Sequence, residues 1–193
     1  MGALLRAGDC VLALFFSIFV FISTTLEFPV GCLGEKVTAG SSNPMVAHSY
    51  GWGMEADRIW VEQPVWSRCA VCIHATAFNA AYATMALGLL LRWDWIRVPA
   101  LCACVAKLYA GGLYMAANLL DEQYPPANPR LFVQQSFSYM AVPALMILRM
   151  AGPRPFGGGG GGGRKVKAEQ PQAAAGAEVA GEGPGSARRR RRA

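Results

Sequence analysis

Four long apolar stretches constrain this chain more than any other feature of its sequence. The hydrocarbon core of a bilayer is about 30 Å thick, so a helix needs about 20 mainly apolar residues to cross it. The stretches predict membrane-spanning helices at about residues 10–27, 66–91, 98–120 and 131–150. Only 16% of the 193 residues are charged, compared with roughly 25% in soluble domains. We therefore expect an all-α membrane protein built as a four-transmembrane-helix bundle.

The first apolar stretch could also be read as a secretory signal peptide, because it follows Arg6 near the start of the chain. A signal peptide ends in a cleavage site with small residues. Here the stretch is followed by Glu27, Phe28 and Pro29 instead. We therefore expect a retained helix. The loop after it, residues 28–65, contains tryptophans that favour the membrane interface, and we expect one short helix near residues 54–60.

The composition changes abruptly after Gly152. Seven consecutive glycines precede a segment rich in Ala, Gly, Glu and Gln, and the chain ends with a run of five arginines before its last alanine. Such a composition cannot bury enough apolar surface to offset the entropy of the chain. The sequence therefore predicts a membrane domain over residues 1–151 and a disordered tail over residues 152–193. The arginines could bind anionic lipid headgroups, act as a retention signal of the endoplasmic reticulum, or simply be solvated.

The distribution of Lys and Arg predicts the orientation, because segments rich in these residues stay in the cytoplasm. The turn between the second and third predicted helices carries Arg92 and Arg97, and the tail carries further cations. The other two loops contain more acidic than basic side chains. Both termini are therefore expected in the cytoplasm. The sequence has no zinc-finger pattern or aromatic RNA-binding motif, so we do not expect nucleic acid as a partner.

Six cysteines lie mainly in or beside the apolar stretches, where a thiol usually behaves as a small hydrophobic group. Cys69 and Cys72 form a CxxC pair, which can indicate a metal or redox site. This pair opens an apolar helix, however, and no second pair has the spacing of a zinc site. We therefore predict packing roles for these thiols, with no disulfide framework, no metal and no cofactor.

Ionisable side chains inside a membrane are costly and usually face a bundle interior or a cavity. They include Glu27 at the end of the first predicted helix, His74 in the second and Lys107 in the third. Lys107 lies too deep to reach the headgroups easily, so we expect it either to pair with an acid, with Glu27 and Asp57 as the candidates, or to lie in a wet cavity. The lysine could mark a ligand pocket or only an ion pair that fixes helix packing. His74 could be a general acid or base, or a hydrogen-bonding link between helices.

Small and hydroxyl-bearing residues add to the prediction of a pocket. Gly111 and Gly112 in the third predicted helix let helices approach or leave room for a ligand. Pro143 frees a backbone carbonyl in the fourth predicted helix, and Tyr139 lies one turn before it. Together with the ionisable groups, these residues describe an apolar cavity with a few convergent polar groups, which is the usual form of a small-ligand site.

A series of acidic, proline and tryptophan residues lies between the first loop and the third predicted helix. It consists of Asp57, Glu62, Pro64 and Trp66, an apolar helix, and then Trp-Ile-Arg-Val-Pro-Ala over residues 95–100. This series resembles the EXPERA family, which contains the emopamil-binding sterol isomerases and the sigma-2 receptor. The acidic exit of the third predicted helix and the spacing of Tyr139 and Pro143 are also similar to that family. The resemblance covers roughly residues 10–150.

The resemblance implies a bundle in the membrane of the endoplasmic reticulum with a central pocket for sterols and amphiphilic amines. Two acids hold the amine in the sigma-2 group, and Glu27 and Asp57 fall at their positions. His74 falls where the isomerases have a histidine in the second helix. The isomerases also carry a glutamate one turn later and another in the third helix. This chain has Phe78 at the first of these positions, and its third predicted helix offers Lys107 but no acid.

We therefore expect an integral membrane protein that binds a sterol, or a related lipid or amphiphile, and acts in sterol handling. The expected ligand-binding residues are Glu27, Asp57, His74, Lys107 and Tyr139. One alternative is a sterol Δ8–Δ7 isomerase that uses His74 with Glu27 or Asp57, although a lysine near a carbocation would oppose that chemistry. A second alternative is a chaperone-like regulator of another membrane protein. Assembly into a homodimer is compatible with the sequence.

Overall fold

The computed structural model describes residues 2–152 and 155–156. Helices and no strands are found among these residues, with turns and irregular segments between the helices. Four helical segments are long and apolar enough to cross a membrane, and we call them the first to fourth spans: Leu4–Gly31, Val65–Leu91, Asp94–Leu120 and Pro129–Met150. The prediction of an all-α membrane bundle with four transmembrane helices is therefore confirmed. The predicted tail, residues 152–193, lies outside the described residues apart from Gly152, Pro155 and Phe156.

The first span is longer at both ends than the predicted helix over residues 10–27. It consists of an α-helix over Gly2–Ile22, a π turn over Ser23–Glu27 and a short α-helix over Phe28–Gly31. The prediction began too late because Asp9 interrupts the apolar pattern. The structure buries this carboxylate in an ion pair with Arg149, whose Nε lies 2.6 Å and whose Nη2 lies 3.0 Å from its two oxygens.

Pro29 does not end the first span, because the π turn before it changes the hydrogen bonding. Proline has no N–H to donate to the carbonyl one turn earlier, at Thr25. In the π turn the N–H of Phe28 donates to Ser23 O. The side chain of Asn43 in the following loop then donates to the freed Thr25 carbonyl at 2.8 Å. The helix therefore continues past the proline to Gly31.

The other three spans begin close to the residues predicted for them. The second span has α-helices over Val65–Ile73 and Asn79–Leu91, joined by a π turn over His74–Phe78. The third opens with a 3₁₀ turn over Asp94–Ile96 and continues as an α-helix over Arg97–Leu120. The fourth is one α-helix over Pro129–Met150 that contains Pro143. Asn128 caps it by accepting a hydrogen bond from Leu131 N at 3.1 Å.

The loop between the first and second spans differs from the prediction of one short helix. It contains two helices, Pro44–Ala56 and Arg58–Glu62, which meet at Asp57. The Asp57 carboxylate accepts from Trp60 N at 3.0 Å and so caps the second helix. The indole of Trp60 donates to Ser49 Oγ at 3.0 Å. These contacts hold the two loop helices together against the bundle.

The interior of the bundle is filled by aromatic and aliphatic side chains from all four spans, including Phe16, Phe19, Tyr82, Leu89, Ala100, Cys104, Val142 and Met146. Large apolar side chains also cover the outside, including Leu14, Phe21, Ile73, Val105, Phe137 and Leu148. An apolar outer surface of this extent is unusual for a soluble monomer. A bilayer provides the apolar solvent that such a surface needs, which agrees with a multi-pass membrane protein.

A disulfide joins Cys32, just after the first span, to Cys72 in the second span, with the Cα atoms 4.8 Å apart. The predictions of a packing role for Cys72 and of no disulfide are therefore wrong. Gly31 permits this contact, because a Cβ at that position would lie 2.6 Å from the backbone nitrogen of Cys72. Cys69, the other half of the CxxC pair, is a free and exposed thiol. The spacing of the CxxC pair could not reveal a partner 40 residues away.

Arginines bind the chain at the end of the bundle where the first span begins and the fourth ends. Arg149 pairs with Asp9 and donates to the carbonyl of Pro155 at 2.6 Å. Arg92 donates to the carbonyl of Phe156 at 2.6 Å, and Arg97 donates to that of Met150 at 3.1 Å. Arginines at the end of the bundle that is predicted to face the cytoplasm thus also donate hydrogen bonds to backbone carbonyls at and beyond the end of the fourth span.

Candidate functional site

A cavity with a volume of about 220 Å³ lies among the four spans and the loop helices. Its walls are mainly apolar and include Ile22, Leu26, Val71, Met115, Phe132 and Met140. Trp52 and Trp60 contribute from the loop helices. Gly111 makes room for the fourth span beside the cavity, because a Cβ at this position would lie 2.5 Å from the sulfur of Met140. Gly112 faces away from the neighbouring spans, with nothing near the position of its missing Cβ.

The five residues expected to bind a ligand all line this one cavity. Glu27 comes from the first span, Asp57 from the loop, His74 from the second span, Lys107 from the third and Tyr139 from the fourth. The sequence could identify each of them as a polar residue in or beside an apolar stretch. It could not show that they converge, because that depends on how each helix is rotated within the bundle.

Glu27, His74 and Lys107 form a continuous chain of hydrogen bonds. Oε2 of Glu27 lies 2.6 Å from Nδ1 of His74, and Nζ of Lys107 lies 2.7 Å from Nε2. A lysine ammonium can only donate, so Nε2 accepts and the ring proton is on Nδ1, which donates to the Glu27 carboxylate. The neutral imidazole therefore separates a negative charge from a positive one. We call this arrangement the Glu27–His74–Lys107 chain.

Further contacts stabilise both ends of the Glu27–His74–Lys107 chain. The hydroxyl of Ser23 donates to Oε2 of Glu27 at 2.7 Å. The hydroxyl oxygen of Tyr82 lies 2.9 Å from Nε2 of His74, so Tyr82 and Lys107 share the single lone pair of that nitrogen. Nζ of Lys107 lies 6.0 Å from the centroid of the Phe78 ring, within reach of a weak cation–π attraction. The ring of Phe78 therefore packs beside the cation.

Lys107 was expected either to pair with Glu27 or Asp57 or to lie in a wet cavity, and the structure gives it a different direct partner. The ammonium contacts the imidazole of His74, and the negative charge of Glu27 acts on it across the ring. The structure thus has a contact with His74 in place of direct pairing with an acid, while Lys107 lines the cavity, in line with the other alternative. No spacing rule connects residues on two different spans, so this contact could not be found from the sequence.

Asp57 forms a separate polar group at the loop side of the cavity. Its Oδ2 accepts from the hydroxyl of Tyr114 at 2.8 Å, and its Oδ1 accepts from Trp60 N. Burial raises the pKa of the Asp57 carboxyl to about 6, although both hydrogen bonds act in the opposite direction. Tyr114 lies seven residues, or about 10 Å, beyond Lys107 along the third span. The cavity therefore has an acidic group near the loop and a cation deeper between the spans.

Tyr139 contributes an aromatic wall from the fourth span. Its ring stacks on that of Phe19, with the centroids 5.4 Å apart and the planes at 8°. Pro143 lies one turn later and cannot donate to the Tyr139 carbonyl, so the backbone is freed beside the cavity. Tyr109, by contrast, is 70% exposed on the outside of the bundle and takes no part in the site.

The described residues contain no group of three or more His, Cys, Asp or Glu side chains placed to hold a metal ion. The polar side chains that line the cavity offer hydrogen bonds, charges and sites for proton transfer. Comparisons of the chain with known protein families, with curated proteins and with solved structures find no match. The similarity to the EXPERA family therefore stays a resemblance of motifs.

Proposed function

We propose that this protein binds a sterol, or a related lipid or amphiphile, in the cavity between its spans and acts in sterol handling. The observation that carries this proposal is the convergence of charged and hydroxyl groups on one apolar cavity inside the membrane domain. Charged groups inside a membrane are expensive, and they usually mark a functional site. The motif resemblance to the EXPERA family supports a sterol as the class of ligand.

A sterol fits the chemistry of the cavity through its single hydroxyl group. The hydroxyl can accept a hydrogen bond from Lys107 and donate one to a carboxylate, while the rings contact the apolar walls. The cavity volume of about 220 Å³ is smaller than the roughly 300–1,000 Å³ of typical ligand sites. A sterol would therefore place its hydroxyl end in the cavity. Its rings and side chain would either widen the cavity or extend between the spans.

The proposed location is the membrane of the endoplasmic reticulum, with both termini in the cytoplasm. The excess of Lys and Arg at one end of the bundle supports this orientation. The Cys32–Cys72 disulfide gives independent support, because Cys32 follows the opposite end of the first span. In this orientation the bond lies toward the lumen, where disulfides form and persist.

The contact between Glu27 and His74 favours a second candidate, a sterol double-bond isomerase. An imidazole beside a carboxylate is a common acid–base pair, and of the two carboxylates considered from the sequence, Glu27 is the one that contacts His74. However, Nε2 of His74 is occupied by Lys107 and Tyr82. A cation 2.7 Å from the ring would also oppose the carbocation that isomerisation requires. The geometry therefore supports binding better than catalysis.

The test is labelling of the purified full chain in lipid nanodiscs with a photoreactive sterol, combined with complementation of isomerase-deficient cells. We expect saturable labelling without complementation, reduced by Glu27→Gln and by Asp57→Asn. Glu62→Gln is the matched control, because that glutamate lies in the loop and is about 40% exposed. Complementation that is lost on His74→Ala would establish the isomerase instead. Absence of both labelling and complementation would overturn the binding proposal and favour a regulator of another membrane protein.

A further inference from the structure

We propose that the preferred ligand of the cavity carries a carboxylate head group, which binds to the ammonium group of Lys107. A fatty acid and an acidic sterol both belong to this class of amphiphile. The inference rests on the proposed function, since it requires that the cavity binds an amphiphile at all. It differs from the amine ligands that the motif resemblance implies.

The acidic side chains of the cavity already have hydrogen-bond donors from the protein. Asp57 uses both carboxylate oxygens, one for Tyr114 and one for the backbone of Trp60. Glu27 accepts from Ser23 and His74. A cationic ligand would have to compete with these donors, which are part of the protein and need no ordering when a ligand binds.

The ammonium group of Lys107 has unused hydrogen-bonding capacity. An ammonium group has three N–H donors. Within the described part of the chain, its Nζ has one hydrogen-bond partner, Nε2 of His74. The aromatic ring of Phe78 offers only a weak additional attraction. Because a charged donor without an acceptor is unfavourable away from bulk water, the cavity favours a ligand that supplies acceptor oxygens.

The arrangement of charges favours an anionic over a cationic head group at this position. The second negative charge, on Asp57, contacts Tyr114, about 10 Å further along the third span. A carboxylate beside Lys107 would therefore contact the cation directly, whereas Asp57 is hydrogen-bonded to a residue about two helical turns away along the third span. The Glu27 charge lies on the far side of the imidazole. An amine at the same position would contact a like charge, which disfavours its binding.

The size of the cavity agrees with a head-group site. A volume of about 220 Å³ holds the polar end of a lipid but not a long acyl chain or a complete sterol. Apolar side chains of the third and fourth spans, such as Ala110, Met115 and Met140, also line the cavity. The apolar part of the ligand would continue along these spans toward the hydrocarbon of the bilayer.

The test compares three diazirine probes that share one sixteen-carbon chain and carry a carboxylate, a hydroxyl or an amine. A photoreactive sterol serves as the reference for the cavity. The full-length protein in nanodiscs is labelled at neutral pH, and apparent Kd values are obtained from titrations. We expect the carboxylate probe to bind about tenfold more tightly than the other two, as one additional charge-assisted hydrogen bond implies. The labelled peptides should come from the spans that line the cavity.

Two variants of the lysine sharpen the result. Lys107→Met keeps the length of the side chain without the charge, and it should remove the tenfold advantage of the carboxylate probe. Lys107→Arg keeps the charge and should retain the advantage. Equal binding of the three chain probes by the wild-type protein, or preference for the amine, would overturn this inference while sterol labelling preserved the proposed function. Failure of all four probes would overturn the proposed function itself. The wild-type comparison decides the question even if a variant does not fold.

Discussion

Removal of the negative charge of Glu27 tests whether the Glu27–His74–Lys107 chain is a charge pair bridged by a neutral imidazole. In Glu27→Gln the amide oxygen can still accept from Nδ1 of His74 and from the hydroxyl of Ser23, so the shape of the site is preserved. The substitution removes only the charge. It leaves the Lys107 ammonium without a compensating anion nearby, and we expect the folded state to lose stability.

The size of the loss follows from the burial of the pair. The side chains of Glu27 and His74 are only 17% and 15% exposed. Removal of one partner of a buried ion pair costs about 3–5 kcal/mol. We expect the lower end, about 3 kcal/mol, because the two charges are separated by a ring rather than in contact. For a chain of this size, this corresponds to a decrease in Tm of roughly 6–12 °C.

The double variant Glu27→Gln with Lys107→Met removes both charges and leaves none uncompensated. We expect it to be more stable than the sum of the single losses predicts, by about 2 kcal/mol.

The assay is denaturant unfolding of the full chain in detergent micelles, followed by tryptophan fluorescence. Glu62→Gln is the control for removal of a glutamate charge, because its ion pair with Arg58 is exposed and should contribute little. Strict additivity of the two single variants would refute the coupling. An unchanged stability of Glu27→Gln would show that Lys107 carries no charge that Glu27 has to balance.

Three further predictions concern other parts of the bundle and use the same unfolding assay. Asp9→Asn should lower the free energy of unfolding by about 3 kcal/mol, because it leaves the arginine of a buried bidentate pair uncompensated. Adding Arg149→Gln should lower it little further. A second loss of the same size would contradict the pairing. Reduction of the Cys32–Cys72 bond, which joins residues 40 apart, should lower the free energy of unfolding by about 4 kcal/mol, because the unfolded chain gains conformational entropy. The Cys32→Ser variant should be less stable by a similar amount, and its stability should not depend on reductant. Burial raises the pKa of Asp57 from 3.8 to about 6, so the folded state binds this proton more tightly than the unfolded state. Stability should therefore fall by about 3 kcal/mol as the pH rises through this interval, and Asp57→Asn should remove that part of the pH dependence.

The fold of the membrane domain could be predicted from length and hydropathy, because a spanning segment must satisfy its own backbone hydrogen bonds and contact lipid. The same reasoning placed the first span too short, since hydropathy alone favours a start after Asp9. An ionisable residue ends an apolar pattern in the sequence even when a partner 140 residues away neutralises it in the structure. The disulfide was missed for the same reason, because its pairing depends on which helix ends meet in three dimensions.

The residues of the candidate site could be selected as polar groups that do not belong in an apolar span. Their individual contacts could not be predicted. Tyr82 and Tyr114 supply hydrogen bonds to His74 and Asp57, but a tyrosine in a membrane helix is common and gives no signal by itself. The direct contact between Lys107 and His74 depends on the rotation and depth of two spans, and neither quantity is encoded in a local pattern.

The two π turns explain how these side chains come to face one cavity. Residues eight positions apart in an α-helix are offset by about 80° around its axis, so an uninterrupted second span would point His74 and Tyr82 in different directions. The π turn over His74–Phe78 places an additional residue in one turn and reduces that offset, and Nε2 and the tyrosine hydroxyl lie 2.9 Å apart. The first π turn ends at Glu27, and the second begins at His74, so the two wide turns present the partners of the 2.6 Å contact to each other. Because π turns are rare and concentrate at functional sites, their occurrence at these two residues supports a functional rather than a purely structural role for the cavity.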